Sequence, residues 1–162
     1  MTKQELHQEE YNEYYARYID KVSSTADLKT GFEKDKKMII DFFSSLPKEK
    51  LTYRYQPEKW SVKEILQHII DTERIFMYRL LRIARKDTTA LAGFDQDIFI
   101  EPSQADTKTL EELLHEFTST RLYSINLINS ISNVNLKNMG KGQGTITIVF
   151  ILIGFLFEFS IK

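Results

Sequence analysis

This sequence reads as an all-α four-helix bundle, on three grounds. Apolar residues recur at three- and four-residue spacing through long stretches, as they do on helices with one buried face. Across 162 residues there are only six glycines and three prolines, so few positions can interrupt those stretches. The interruptions that do occur leave four long amphipathic segments joined by connections of mixed length. Segments of that kind bury their apolar stripes by packing against one another. With 42% hydrophobic and 28% charged residues, the composition is globular, and the length fits one domain over residues 1–162.

A short extra N-terminal helix is expected around Glu9 to Ile19, carrying Tyr11, Tyr14, Tyr15 and Tyr18. The first long helix is expected from about Thr25 to Leu46. Its apolar positions are Leu28, Phe32, Met38, Ile39, Phe42, Phe43 and Leu46, and Pro47 ends it. A polar link containing Pro57 follows. The second helix then starts after Trp60, where Ser61 and Glu64 form the pattern of a capping box. Thr88 to Thr107, with Gly93 and Pro102, reads as a long connection. The third helix is expected to begin near Asp106 or Thr107 and to bury Leu110, Leu113, Leu114, Phe117, Leu122, Ile125 and Ile128. A last loop from Asn138 to Thr145 leads into an atypical fourth helix over about 145–161. Its β-branched and aromatic content would also allow a strand, but three long helices offer a strand no partner. The apolar run Ile146 to Ile161 is shorter than the roughly 20 residues a spanning helix needs, and is expected to be a buried core element rather than a membrane segment.

On a helical wheel of the second helix, Val62, Ile65, Leu66, Ile69, Phe76, Leu80 and Ile83 gather on one face. Two polar residues interrupt that stripe. His68 lies at its edge beside Ile65 and Thr72. There it is either a half-buried histidine satisfied by a hydrogen bond or a ligand projecting into the bundle, where metal sites are built. Glu73 lies near the centre and must find a partner, because an unpaired buried carboxylate is costly. That partner is an arginine or tyrosine, or else Glu73 orients a ligand histidine.

Several function classes are excluded or disfavoured. With no cysteine, disulfides, thiolate nucleophiles and Cys-ligated zinc are ruled out. A net charge of −1 without a basic stripe argues against nucleic-acid partners. The polar N-terminus lacks the apolar core of a signal peptide, so a cytoplasmic location is expected. His7 and His115 lie in polar surroundings, and the sequence holds no H-x-x-x-H pair, no phosphate-binding glycine loop and no G-x-S-x-G.

From Tyr53 to Phe99 the pieces W-S-V-K-E, H-I-I-D-T-E-R, Y-R-x-L-R-I-A-R and L-x-G-F-D-Q-D together resemble the DinB superfamily, in its DinB-like or YfiT-like branch. YNEYYARYID and TLEELLHEFTSTR are similar to this branch as well. The resemblance implies an up-down-down-up four-helix bundle, often a homodimer. It also implies a divalent metal of nickel or zinc type held by three histidines. His68 matches the ligand on the second helix. The other two ligands form an H-x-x-x-H pair on the fourth helix, and here Phe155 and Phe159 stand in those positions, with Glu158 between them. Phenylalanine cannot coordinate a metal, so the resemblance leaves one of three ligands. Asp71, Glu73 or Glu158 would have to substitute, with Asp71 and Glu73 otherwise expected to orient the ligand. The ending GFLFEFSIK reads either as natural degeneration or as an altered reading frame or altered end.

Two functions follow as expectations. Relatives in the family resemble metal-dependent thiol S-transferases, using small thiols such as bacillithiol, mycothiol or glutathione, and metal-dependent hydrolases. The other expectation is a metal-free, non-catalytic bundle of the same family that binds a small molecule or a protein partner. No catalytic residue is identifiable.

Overall fold

The computed structural model describes Asp20, residues 27–142 and residues 144–147. Helix α1 spans Leu28–Ser45. The side chain of Asp27 accepts the Thr30 N–H at 3.1 Å, giving a free first-turn donor the partner it needs. Phe32, Asp35, Ile39 and Phe43 follow at helical spacing and are buried. Met38 and Phe42, expected on the same stripe, are about half exposed. A single 3-10 turn at Lys48–Lys50 follows Pro47.

Helix α2 spans Val62–Ala84, and both halves of the Ser61–Glu64 capping box are formed. Its C-terminus is closed by two reversed hydrogen bonds, Lys86 N–H to Ile83 O at 2.9 Å and Asp87 N–H to Arg82 O at 3.0 Å. This Schellman closure places Lys86 at φ 62°, a conformation glycine usually supplies.

The long connection contains an element that sequence periodicity missed, helix α3 at Asp97–Ser103. At seven residues with Pro102 inside, it is too short to show a period. Gln104, at φ 50°, ends it, and a 3-10 turn at Ala105–Thr107 follows. Helix α4, the expected third long helix, spans Leu110–Ser130 rather than starting at Asp106 or Thr107. Thr109 sets the boundary because its hydroxyl accepts the Glu112 N–H at 3.1 Å, while the Glu112 carboxylate accepts the Thr109 N–H at 2.7 Å.

Helix α4 packs against both α1 and α2, and α3 with its following turn packs against α2. The core joins Ile39 and Phe43 of α1, Leu66, Ile69 and Ile70 of α2, and Leu113 and Phe117 of α4. Leu122, expected in this core, is exposed, and Arg121 is buried in its place.

Beyond α4, Leu136 is buried in a 3-10 turn at Asn135–Lys137. Strands β1, Met139–Gly142, and β2, Gly144–Thr147, then pair antiparallel, with Met139 opposite Thr147 and Gly142 opposite Gly144. This corrects the expected start of the fourth helix, since Thr145, Ile146 and Thr147 lie in a strand. The partner that three helices could not offer is the neighbouring segment itself, and β-branched residues favour extended backbone. The rest of the expected fourth helix, with Phe155, Glu158 and Phe159, lies outside the described residues, as does the expected N-terminal helix.

The hairpin sits directly on the end of α2. A Cβ placed on Gly140 would lie 2.5 Å from Ile83 Cγ1 and 2.7 Å from its Cδ1, so only glycine fits that approach. The Asn138 amide donates toward Ile83 O at 3.3 Å. Among the described residues, no helix is long and apolar enough to cross a membrane.

Candidate functional site

The Ser61–Glu64 box fixes where the chain enters α2, and Trp60 therefore falls beside the helix's second turn. Its ring centroid lies 4.6 Å from that of His68, at an interplanar angle of 49°. One turn further on, Thr72 Oγ1 lies 3.3 Å from His68 Nδ1. The i, i+4 spacing puts the two side chains on one face. Thr72 is buried and His68 half-buried, so the imidazole is held between an indole and a hydroxyl at the edge of the apolar stripe.

Glu73 is fully buried, and its carboxylate is engaged away from His68. Arg121 Nε of α4 donates to Glu73 Oε1 at 2.8 Å and Oε2 at 3.1 Å. Arg121 Nη1 donates to Asp35 Oδ2 of α1 at 2.8 Å and to the Phe32 carbonyl at 3.2 Å. The guanidinium lies 5.0 Å from the ring centroids of both Phe32 and Phe117. One arginine thus ties α1, α2 and α4 together at the centre of the bundle. Burial pushes the Glu73 and Asp35 carboxyls above their ordinary range, against the pull of Arg121. The arginines nearest Glu73 in the chain are Arg74, Arg79 and Arg82. Those go elsewhere: Arg74 to Asp71 and Glu116, Arg79 to the Ala92 carbonyl, and Arg82 to Asp87.

Asp71 belongs to a second network along the α2–α4 seam. The Gln67 amide donates to Asp71 at 3.1 Å and to Glu116 at 3.3 Å, while Lys108 Nζ donates to Gln67 Oε1 at 2.7 Å. Burial pushes the Asp71 carboxyl up, whereas burial at Glu116 is outweighed by donors from Lys108, Gln67 and Arg74, which hold it low. A third network closes the entry to α2. Arg54 forks onto both oxygens of Glu64 and also reaches Asp106 at 2.7 Å. Next to it an open groove of about 410 Å³ is lined by Glu64, Ile100, Glu101, Asp106 and Thr107.

Of the sequence-predicted candidates, then, the structure brings His68 to Thr72 and Trp60 but assigns Glu73 to Arg121 and Asp71 to the seam. His115 is exposed on α4, and His7, Phe155, Glu158 and Phe159 lie outside the described residues. Among the described residues, no three histidine, aspartate or glutamate side chains gather closely enough to hold an ion. Arg121, Asp35 and Trp60 were missed as parts of these clusters. The available signal was positional: Asp35 and Arg121 each occupy a stripe position between apolar neighbours.

The sequence profile of the DinB superfamily matches residues 32–156. The chain belongs to the DinB superfamily. No curated protein matches it in sequence. Among solved structures, this DinB-superfamily chain is similar to YfiT from Bacillus subtilis, with a TM-score of 0.73 at 14% identity, covering 85% of this chain and 84% of that one. YfiT is described as a probable metal-dependent hydrolase with an unusual four-helix bundle topology. The likeness establishes the fold: this DinB-superfamily protein is an all-α four-helix bundle, to which a β-hairpin is added.

A metal of the kind the superfamily resemblance implies needs three protein ligands and one open position for catalysis. Among the described residues, no such donor set assembles around His68. The whole chain holds three histidines and no cysteine. One of those histidines is exposed on α4, and the carboxylates nearest His68 in sequence are engaged by Arg121 and by Gln67 with Arg74.

Proposed function

We propose that this chain is a metal-independent member of the DinB superfamily, a non-catalytic bundle that binds a small molecule. The observation that carries this reading is that, among the described residues, no group of three metal donors forms: Glu73 is taken by Arg121 and Asp71 by Gln67 and Arg74. Phe155 and Phe159, at the two positions where the family places its remaining ligands, point the same way. Apolar side chains there would add buried area at about 25 cal/mol per Å², strengthening the bundle while removing its chemistry.

The competing reading is a divalent-metal hydrolase or thiol S-transferase. It is favoured by His68 standing at the family's ligand position and by the likeness to a protein described as metal-dependent. Metal analysis of purified protein after incubation with nickel or zinc separates the two. The proposal expects well under one equivalent of metal, unchanged in His68→Ala. Near-stoichiometric metal in the parent protein, lost in His68→Ala, would overturn it in favour of the metal enzyme.

A further inference from the structure

The Asp35–Arg121–Glu73 cluster carries an imbalance of charge. Two carboxylates, 5% and 0% exposed, face one guanidinium that is itself 0% exposed. With every group ionised, the cluster would hold one net negative charge inside an apolar core, an arrangement that burial strongly disfavours. The described surroundings do not offset it. The faces of Phe32 and Phe117, 5.0 Å from the guanidinium, present the electron-rich side of their rings.

Charged groups on each packed element have other partners. On α1, Lys36 turns outward to Glu33 at 3.8 Å. On α2, Arg74 is taken by Asp71 and Glu116. On α4, Glu116 is held by Lys108 and Arg74, and the group facing Glu73 besides Arg121 is the neutral Ser124 hydroxyl. Among the described residues, no second cation approaches either carboxylate.

We propose that this triad is a proton-binding site. One proton, shared between the Asp35 and Glu73 carboxylates, is held by the folded protein at neutral pH and brings the cluster to zero net charge. The proton comes from solvent and is released when the domain unfolds or when pH rises far enough to strip it. Because both carboxyls bind protons more tightly in the folded state than in the unfolded chain, their contribution to stability is fully present at acid pH, below the ordinary carboxylate range. It is lost as pH rises through the folded-state titration. Across that window the folding equilibrium constant falls up to about tenfold per pH unit for a single linked proton.

Carboxyl-labelled carbon NMR of the full chain, followed against pH, tests the site directly. The expected result is one protonated side-chain carboxyl at pH 7 in the parent protein, absent from both Glu73→Gln and Asp35→Asn. In each variant the remaining carboxylate balances Arg121, and chemical denaturation between about pH 4 and pH 7 should lose one proton's worth of slope. A parent protein whose carboxyls are all ionised at pH 7 overturns the proposal, whether or not the variants fold.

Discussion

At the scale of single residues, Arg121 has the largest predicted consequence. Its side chain is the one group that satisfies a carboxylate on α1, a carboxylate on α2 and the Phe32 carbonyl together. Arg121→Met is roughly matched in volume, so it creates little cavity. What it does is remove the cation from two buried carboxyl groups, a loss that costs about 3–5 kcal/mol. Urea denaturation should show that loss with the slope unchanged, and a cost under about 1 kcal/mol would show that the carboxylates find other partners or simply take up protons. The pairing itself was not legible in the sequence. Burial of Glu73 could be read from its place on the apolar face of α2, but its partner lies 48 residues away, and side-chain pairing at that range depends on how helices dock. Arg74, Arg79 and Arg82 lie nearer in the chain, but the helix directs them to other partners.

Elements carry their own determinants, and where these are local the sequence displays them. The start of α2 was readable because a capping box needs only Ser61, Glu64 and the two residues between them. The start of α4 was misplaced by a few residues although Thr109 and Glu112 form the same box, because the acidic and polar run before it offers several competing caps. Helix α3 is too short for periodicity to register. The hairpin escaped because a run of β-branched and aromatic residues permits either helix or strand until a partner is known. The end of α2 yields a test at this scale. Lys86 holds the left-handed position of the Schellman closure at φ 62°, where a Cβ costs about 1 kcal/mol. Lys86→Gly should therefore raise stability by up to about 1 kcal/mol, since glycine adopts that conformation without the clash. A lowered melting temperature in Lys86→Gly would show that the lysine side chain makes a compensating contribution.

For the whole molecule, the hairpin is the clasp that fixes the chain after α4 to the far end of α2. The contact is unforgiving because Ile83 is buried and its Cγ1 and Cδ1 occupy the space a Cβ on Gly140 would need. Gly140→Ala should cost about 1–3 kcal/mol, the usual range for overpacking a closed contact. Pairing it with Ile83→Ala should recover part of that loss, and simple additivity of the two would mean that the hairpin moves aside freely. The family, the bundle and the place of His68 were all legible from the chain, because they rest on helical period and on motifs contained within one helix. The commitment of Glu73 was not, since Arg121 of another element decides it, and Asp71, though paired with Gln67 and Arg74 of its own helix, belongs to a network completed by Glu116 and Lys108 from outside that helix. The candidate site is thus half readable: the histidine could be located, while the fate of the groups that would assist it could not.

The arginine at the centre of the bundle also constrains how this protein can change over generations. Replacing a buried ionic triad as a set with apolar residues of similar volume is often neutral or stabilising, whereas each partial replacement leaves charge without its complement. Positions 35, 73 and 121 therefore form a small evolutionary trap. The all-apolar alternative lies close in energy but across a valley of unstable intermediates, and lineages are expected to keep all three ionic residues or to have exchanged them together.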